Sequence, residues 1–552
     1  MAWYQQYGGA YRQDVLVISD PKALQYIFHT SGYRYPKSPE EDRFTGIMLG
    51  PGVGTVAGEI HQRQRKILGP AFSTSQLRQF LVVFQSAASK LVEKMKDSTQ
   101  TGKVLDIYEW TTKTSLDIIG KTSFRYEFNA MDAMDEQQTE LESALHNMLL
   151  ILFSLLVLLA QVMVAFRGES QMWPSSAELL YLSLWRLLPD WSLSLLQRVS
   201  TRGTQRLVRF RATAGKTAQE IFQKQVSILA NGDHPSEKNI IDVLGVLRRS
   251  TLYIIAHAIL VAFEALSHLT EDPKRKMTEE EIYAQFATFI MAGHDTTALT
   301  AAWVLYELAR NPIDQAKIRE EILQIKANND RTLSSNDYDS MPTLNAAIKE
   351  TLRLHPLNHV LHRIAAKDDI IPLGEPIATT DGTIAYEVSV SKGQIITASV
   401  YTYNRLPSVW SDDAEQWNPQ RFLRPREREQ VSLGVFSNLM SFSELVSLPY
   451  FGCSDADPSI KVEESILASD GDLREYPVFI YFRSQYWCPL SSIMEIQALI
   501  TELLGTFDFA LPEEDFVMLQ SPGQRAVFPL VQGRIHEGVQ IPLRVTYPPA
   551  FK

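Results

Sequence analysis

The sequence predicts a mainly α-helical fold with a small β region. Two observations carry that expectation. Apolar residues recur at helical spacing from Ser75 to Lys96, onward to Leu244, and again from Tyr283 to Leu308. Short β-rich pieces fall mainly in Asp368–Val400 and Phe528–Val545, the second reading as a hairpin. In chain order, Asp14-Val15-Leu16-Val17-Ile18 is a brief strand-like run, and Pro21 through Phe28 reads as helix. A Gly-rich loop follows at Gly50 to Gly58, then a basic helix from His61 to Leu68 that ends near Gly69-Pro70. Thr278-Glu279-Glu280-Glu281 has the form of a capping box, Thr278 as N-cap and Glu281 reaching back, and it starts the long apolar helix. Neither internal repeats nor low-complexity linkers break the chain.

At 552 residues the chain is long enough for several domains or for one large core. A formal net charge of −11, with no lysine- or arginine-rich tract, argues against a nucleic-acid partner. Only two cysteines, Cys453 and Cys488, are present, which rules out a disulfide framework and a multi-cysteine zinc site. Met1-Ala2-Trp3-Tyr4-Gln5-Gln6 is polar from the start and shows no signal peptide. Met148 to Phe166 carries no charge and is long enough to cross a bilayer at about 1.5 Å per residue. It reads as a membrane span or as a buried helix. The shorter run Leu252–Phe263, which contains His257, reads as a core or surface-inserting helix.

Chemistry concentrates in Ala292-Gly293-His294-Asp295-Thr296-Thr297, inside the apolar helix. Gly293 costs about 1 kcal/mol relative to alanine in a helix interior, so its place there wants a reason. Thr296 suits a hydrogen bond back to the carbonyl one turn earlier, which bends a helix. Together they suit a pocket for a diatomic ligand, with Asp295 and Thr296 placed to relay protons. The alternative is a polar stripe facing another helix. Downstream, Glu350 and Arg353 share one helix face at i, i+3 and suit a third charged partner; the commoner fate of such a pair is solvent. His61 and Arg65 lie one turn apart on the basic helix, and taken alone they and Arg363 read as solvated basic residues.

With Glu350-Thr351-Leu352-Arg353 behind it, the Ala292–Thr297 helix resembles the oxygen-binding helix of the cytochromes P-450. The likeness runs from Tyr7-Gly8 through Ser19-Asp20-Pro21-Lys22-Ala23, His61 to Phe72, the two motif helices and Tyr403-Asn404-Arg405 to Pro419. It resumes from Ile493-Met494-Glu495-Ile496-Gln497 to the end. It looks most like the membrane-bound cytochromes P-450 of fungi. The resemblance implies one domain over residues 1–552 with the family's helical prism and small β region. It implies a heme-dependent monooxygenase that hydroxylates a lipophilic small molecule with O2 and electrons from an NADPH-dependent reductase. The expected place is the cytosolic face of the endoplasmic reticulum membrane, the expected context fungal secondary metabolism. Asp295 and Thr296, beside Gly293, would deliver protons. His61, Arg65 and Arg363, the last in His362-Arg363-Ile364-Ala365, would hold heme propionates through charge-assisted bonds. Arg421, in Pro419-Gln420-Arg421-Phe422, would join Glu350 and Arg353 in a buried network.

The chain departs from the family after Phe442-Ser443. There the family carries a glycine-rich loop, an arginine and the axial cysteine seven positions past the phenylalanine. Here that position is Pro449, and the expected glycines are Leu445 and Phe451. A thiolate on the iron gives the electron push that cleaves O–O. Cys453 comes four places late, and Cys488, with Pro489 behind it, stands two residues off the family spacing to the Glu495 helix. Cys488 is the nearer candidate for the metal and Cys453 the more distant; both also read as ordinary thiols. A catalytically silent relative is therefore the rival expectation.

Approximately Leu149–Met172, Ser250–Leu269 and Glu444–Ser491 interrupt the family pattern, and its N-terminal anchor is expected to be absent. Because the pattern resumes after each stretch, translated non-coding sequence is expected; a mature transcript encoding all three would refute that. The last stretch holds eight acidic and three basic residues where the family meets its acidic reductase, so weak coupling is expected.

Overall fold

The computed structural model of the protein describes residues 10–12, 15–31, 34–37, 45–68, 74–98, 104–124, 126–132, 202–230, 277–329, 331–424, 433, 437–442, 487–514, 516–522 and 527–548. Met148–Phe166, Leu252–Phe263, Cys453, Pro449 and the two earlier interrupting stretches lie outside them, as does the third up to residue 486. The chain forms two compact units, Met1–Ser38 with Val360–Ser411 and Glu427–Leu490, and Pro39–His359 with Asp412–Arg426 and Ser491–Lys552.

The first unit holds most of the β structure. Ala10–Arg12, Leu16–Ile18, Ile395–Ser399 and Val360–Ile364 lie side by side in one four-stranded sheet, and Asp369–Ala378 pairs antiparallel with Ile384–Val390. The Asp20 carboxylate caps the helix Pro21–Gln25 through the Ala23 N–H. It also accepts from the amides of Gly374 and Glu375, so one buried side chain ties the first helix to the second sheet.

The second unit holds the long helices: α1 (Gly58–Leu68), α2 (Thr74–Ser98), α3 (Ile107–Ile119), α4 (Arg202–Ala230), α5 (Glu279–Arg310), α6 (Pro312–Ala327), α7 (Pro342–Leu354) and α8 (Trp487–Thr506, from Ser491 on). Helix α5 begins as its sequence predicts. The Glu281 amide donates to the Thr278 hydroxyl at 3.2 Å, and the Glu281 carboxylate accepts from the Thr278 amide at 2.8 Å. That carboxylate also receives Arg63 and Gln64 of α1. A cluster of Phe124, Phe128, Phe210, Phe286 and Ile290 fixes α5 from below, with Phe124 and Phe286 at 4.3 Å between ring centroids. The mainly helical architecture with small sheets is the one the sequence predicts. Among the described residues no helix is long and apolar enough to cross a membrane.

Phe528 to Val545 is not a hairpin. Val527–Val531 pairs backward with Met518–Pro522, while Pro542–Thr546 lies between Val104–Asp106 and Asp508–Ala510. All five residues of Val527–Val531 are buried, so the strand must be covered on both faces. Between the two strands Gly533 and Gly538 adopt φ of +84° and +90° and turn the chain away.

Candidate active site

Helix α5 is buried from His294 to Leu305 except at Thr296, which with Ala292 and Gly293 forms a half-buried face one turn long. Next to the partly buried Met291, this stretch carries only two small residues and a hydroxyl, so little side-chain bulk stands over it. The Thr296 hydroxyl donates to the Ala292 carbonyl at 2.5 Å, the back-bond its sequence suggested. Its proton is thereby engaged, and its oxygen can still accept.

The space beside Gly293 is only partly open. A Cβ on Gly293 would come within 2.8 Å of Ile119 Cδ1, so the glycine also lets α3 approach α5 closely. Asp295 turns toward α3 as well. It is buried, and the Tyr108 hydroxyl donates to its Oδ1 at 2.5 Å. Burial pushes the Asp295 carboxyl up to about 6, with the Tyr108 bond pulling the other way. The same burial drives the Tyr108 hydroxyl well above its ordinary range. His294, also buried, is pushed down to about 4 and stays a neutral imidazole. Further along α3, the Ser115 hydroxyl lies 2.6 Å from Glu495 of α8 and 3.4 Å from the Gly293 carbonyl.

Glu350, Arg353 and Arg421 come together in the second unit. The Arg353 Nε and Nη2 both donate to Glu350 at 2.8 Å, and Arg421 Nε donates to the same carboxylate at 3.2 Å. Glu350 and Arg353 are 0% exposed, so the solvent-exposed reading of the pair does not apply. Arg353 Nη1 and Nη2 also donate to two backbone carbonyls, those of Ala414 and Gln416. On α1, His61 is buried and Arg65 half-buried, and neither is without a partner. Arg363 belongs to the first unit: it is buried, donates to the His362 carbonyl at 2.7 Å and lies over the Phe28 ring at 4.9 Å. Cys488 stands in the first turn of α8.

The chain matches the cytochrome P450 family over residues 8–175 and 184–438, drawn from both units. It belongs to that family. A ganoderic acid synthetase of Ganoderma lucidum is 30% identical over 84% of this chain and 80% of its own length. Cytochrome P450 monooxygenase 219 of Postia placenta is 31% identical over 79% and 74%. Cytochrome P450 monooxygenase claQ of Ampulloclitocybe clavipes is 26% identical over 80% and 75%. The last two are named as monooxygenases, and heme is the family's cofactor.

Ala292 and Gly293 leave the half-buried face of α5 without bulky side chains, and the cationic side chains of α1 are of the kind that binds carboxylates. The described side chains include no thiol. Sequence reading missed Tyr108, Ser115 and Glu495. Tyr108 and Ser115 stand seven apart among other polar residues of α3, and Glu495 is one of two acids in the mostly apolar α8, so nothing in the sequence singles them out.

Proposed function

We propose that this chain is a heme-dependent monooxygenase that hydroxylates a lipophilic small molecule with O2 and electrons from an NADPH-dependent reductase, at the cytosolic face of the endoplasmic reticulum membrane. The observation that carries the reading is the half-buried Ala292–Gly293–Thr296 face beside the buried Asp295 in the middle of α5. A heme bound there would supply the oxygen-activating redox chemistry. Ala292 and Gly293 would leave space for a small ligand, and Thr296 Oγ1 would orient it. Asp295, held near 6, exchanges a proton readily at neutral pH, which suits a relay group. Its route to the open face requires it to leave Tyr108. His61 and Arg65 would hold propionates, and the family pattern gives Arg363 the same task. Glu350, Arg353 and Arg421 would brace the core.

A second reading is favoured by Pro449, which stands where the family carries its axial cysteine. On that reading the chain is a silent relative that binds no iron through sulfur. One experiment separates them: expression with heme supply and the absorption spectrum of the reduced, carbon monoxide-bound form. A Soret band at the red position of thiolate ligation supports the monooxygenase and points to Cys488 or Cys453. No heme, or a band without thiolate character, supports the silent relative.

A further inference from the structure

Glu495 is an acid that the proposed chemistry does not use. It is 5% exposed on α8, and among the described residues no cation pairs with it. Its hydrogen-bond partner is Ser115, at 2.6 Å. The same hydroxyl lies 3.4 Å from the carbonyl of Gly293, the residue at the edge of the open face. We propose that Glu495 is a positioning residue for the oxygen side of the site: acting through the Ser115 hydroxyl, its carboxyl steadies the Gly293 carbonyl and the backbone beneath Ala292 and Thr296.

The direction of the hydrogen bonds follows from the single proton of a serine. When Glu495 is neutral, its O–H donates to Ser115 Oγ, and Ser115 donates to the Gly293 carbonyl. When it ionises, its proton leaves to solvent, Ser115 turns its own proton to the carboxylate, and Gly293 loses the bond. The neutral form keeps both hydrogen bonds of the Ser115 hydroxyl; the ionised form strands a buried charge. Burial accordingly pushes the Glu495 carboxyl up to about 8.

The charged and titratable groups on the packed helices have partners elsewhere. On α5, Asp295 is held by Tyr108 and His294 by the Thr112 backbone. On α3, Asp117 receives the Ala130 and Met131 amides, and Lys113 pairs with Glu109. On α8 itself, Glu502 pairs with Lys326.

The consequence for oxygen chemistry rests on the monooxygenase reading; the hydrogen-bonded chain does not. The test compares the full-length wild type with Glu495→Gln, which keeps a donor and cannot ionise, and Ser115→Ala. Infrared difference spectra near pH 6 should show a protonated-carboxyl band in the wild type that is absent in Glu495→Gln and displaced in Ser115→Ala. Hydrogen exchange of the 289–300 segment should match in the wild type and Glu495→Gln below pH 8, and run faster in Ser115→Ala. The wild-type thermal midpoint should fall relative to Glu495→Gln as pH rises from about 4.5 to about 8, then run parallel to it. An ionised carboxyl at pH 6, or a constant offset between the two midpoints, would overturn the proposal. So would faster exchange in Glu495→Gln equal to that in Ser115→Ala. Should Ser115→Ala not fold, the wild type and Glu495→Gln alone decide. None of these readouts needs heme, so a spectrum without thiolate character would end the functional reading and leave this one standing.

Discussion

Replacing Glu350 by glutamine tests the core network. The carboxylate is 0% exposed and accepts four bonds: Arg353 Nε and Nη2 at 2.8 Å, the Asn418 amide at 2.8 Å and Arg421 Nε at 3.2 Å. A glutamine keeps the shape and removes the charge. It also turns one of its two ends into a donor facing other donors, whichever way it is flipped. Arg353, 0% exposed, loses the carboxylate that takes its Nε and one Nη2 proton, while the Ala414 and Gln416 carbonyls it keeps are neutral. Breaking a buried pair in this way costs about 3–5 kcal/mol, or roughly a 150- to 5,000-fold drop in the folded-to-unfolded ratio. Arg421 is different, because Asp413, 33% exposed, holds it independently at 2.9 Å. Losing Arg421 to alanine leaves Glu350 paired with Arg353, and the expected loss is about 2 kcal/mol, the scale of one charged hydrogen bond. Urea unfolding followed by circular dichroism reads both, provided the slopes agree. A Glu350→Gln loss below about 1 kcal/mol, or an Arg421→Ala loss equal to it, would refute the argument.

Three further outcomes are expected. Gly293→Ala should gain about 1 kcal/mol of helix propensity and lose about 1–3 kcal/mol to the clash with Ile119 Cδ1. Ile119→Val removes that atom, so the same alanine should become stabilising in the valine background; a thermal-denaturation double-mutant cycle reads the sign change. Tyr108→Phe takes away the bond that lowers the Asp295 carboxyl, so the group should titrate above 6. Stability tied to protonated Asp295 is present below about 3.8 and lost as pH rises through its folded value. That loss should extend to higher pH in Tyr108→Phe, and an unchanged stability–pH curve would count against it. Thr278→Ala should cost about 1 kcal/mol in the same measurement, because the amide of Glu281 loses its cap.

What the sequence made legible is local. The capping box at Thr278, the Thr296 back-bond and the i, i+3 pairing of Glu350 with Arg353 are set within one helical turn, and the structure shows each. The β region at Asp368–Val400 was legible from composition, since short β-rich pieces at turns have few other fates. The strands near the end were not, because pairing is decided by partners elsewhere in the chain: Pro542–Thr546 finds Val104–Asp106. The same holds for the site. Tyr108 meets Asp295 across 187 residues and Ser115 meets Glu495 across 380, and no periodicity announces such a meeting. Gly293 shows the limit in one residue. Its sequence says that room is needed, and the structure gives part of that room to Ile119.

Asp106 links the two ends of the second unit. Its carboxylate caps α3 through the Tyr108 amide at 3.1 Å and accepts the Ile541 amide at 2.8 Å, while the Ile107 amide donates to the Ile541 carbonyl. Helix α3 carries Tyr108, Ser115 and Ile119, so its start is completed only by a residue 435 positions later. During synthesis nearly the whole chain emerges before that strand exists. The fastening of the helix that lines the motif therefore waits for Ile541, and a chain cut before that residue leaves α3 without it.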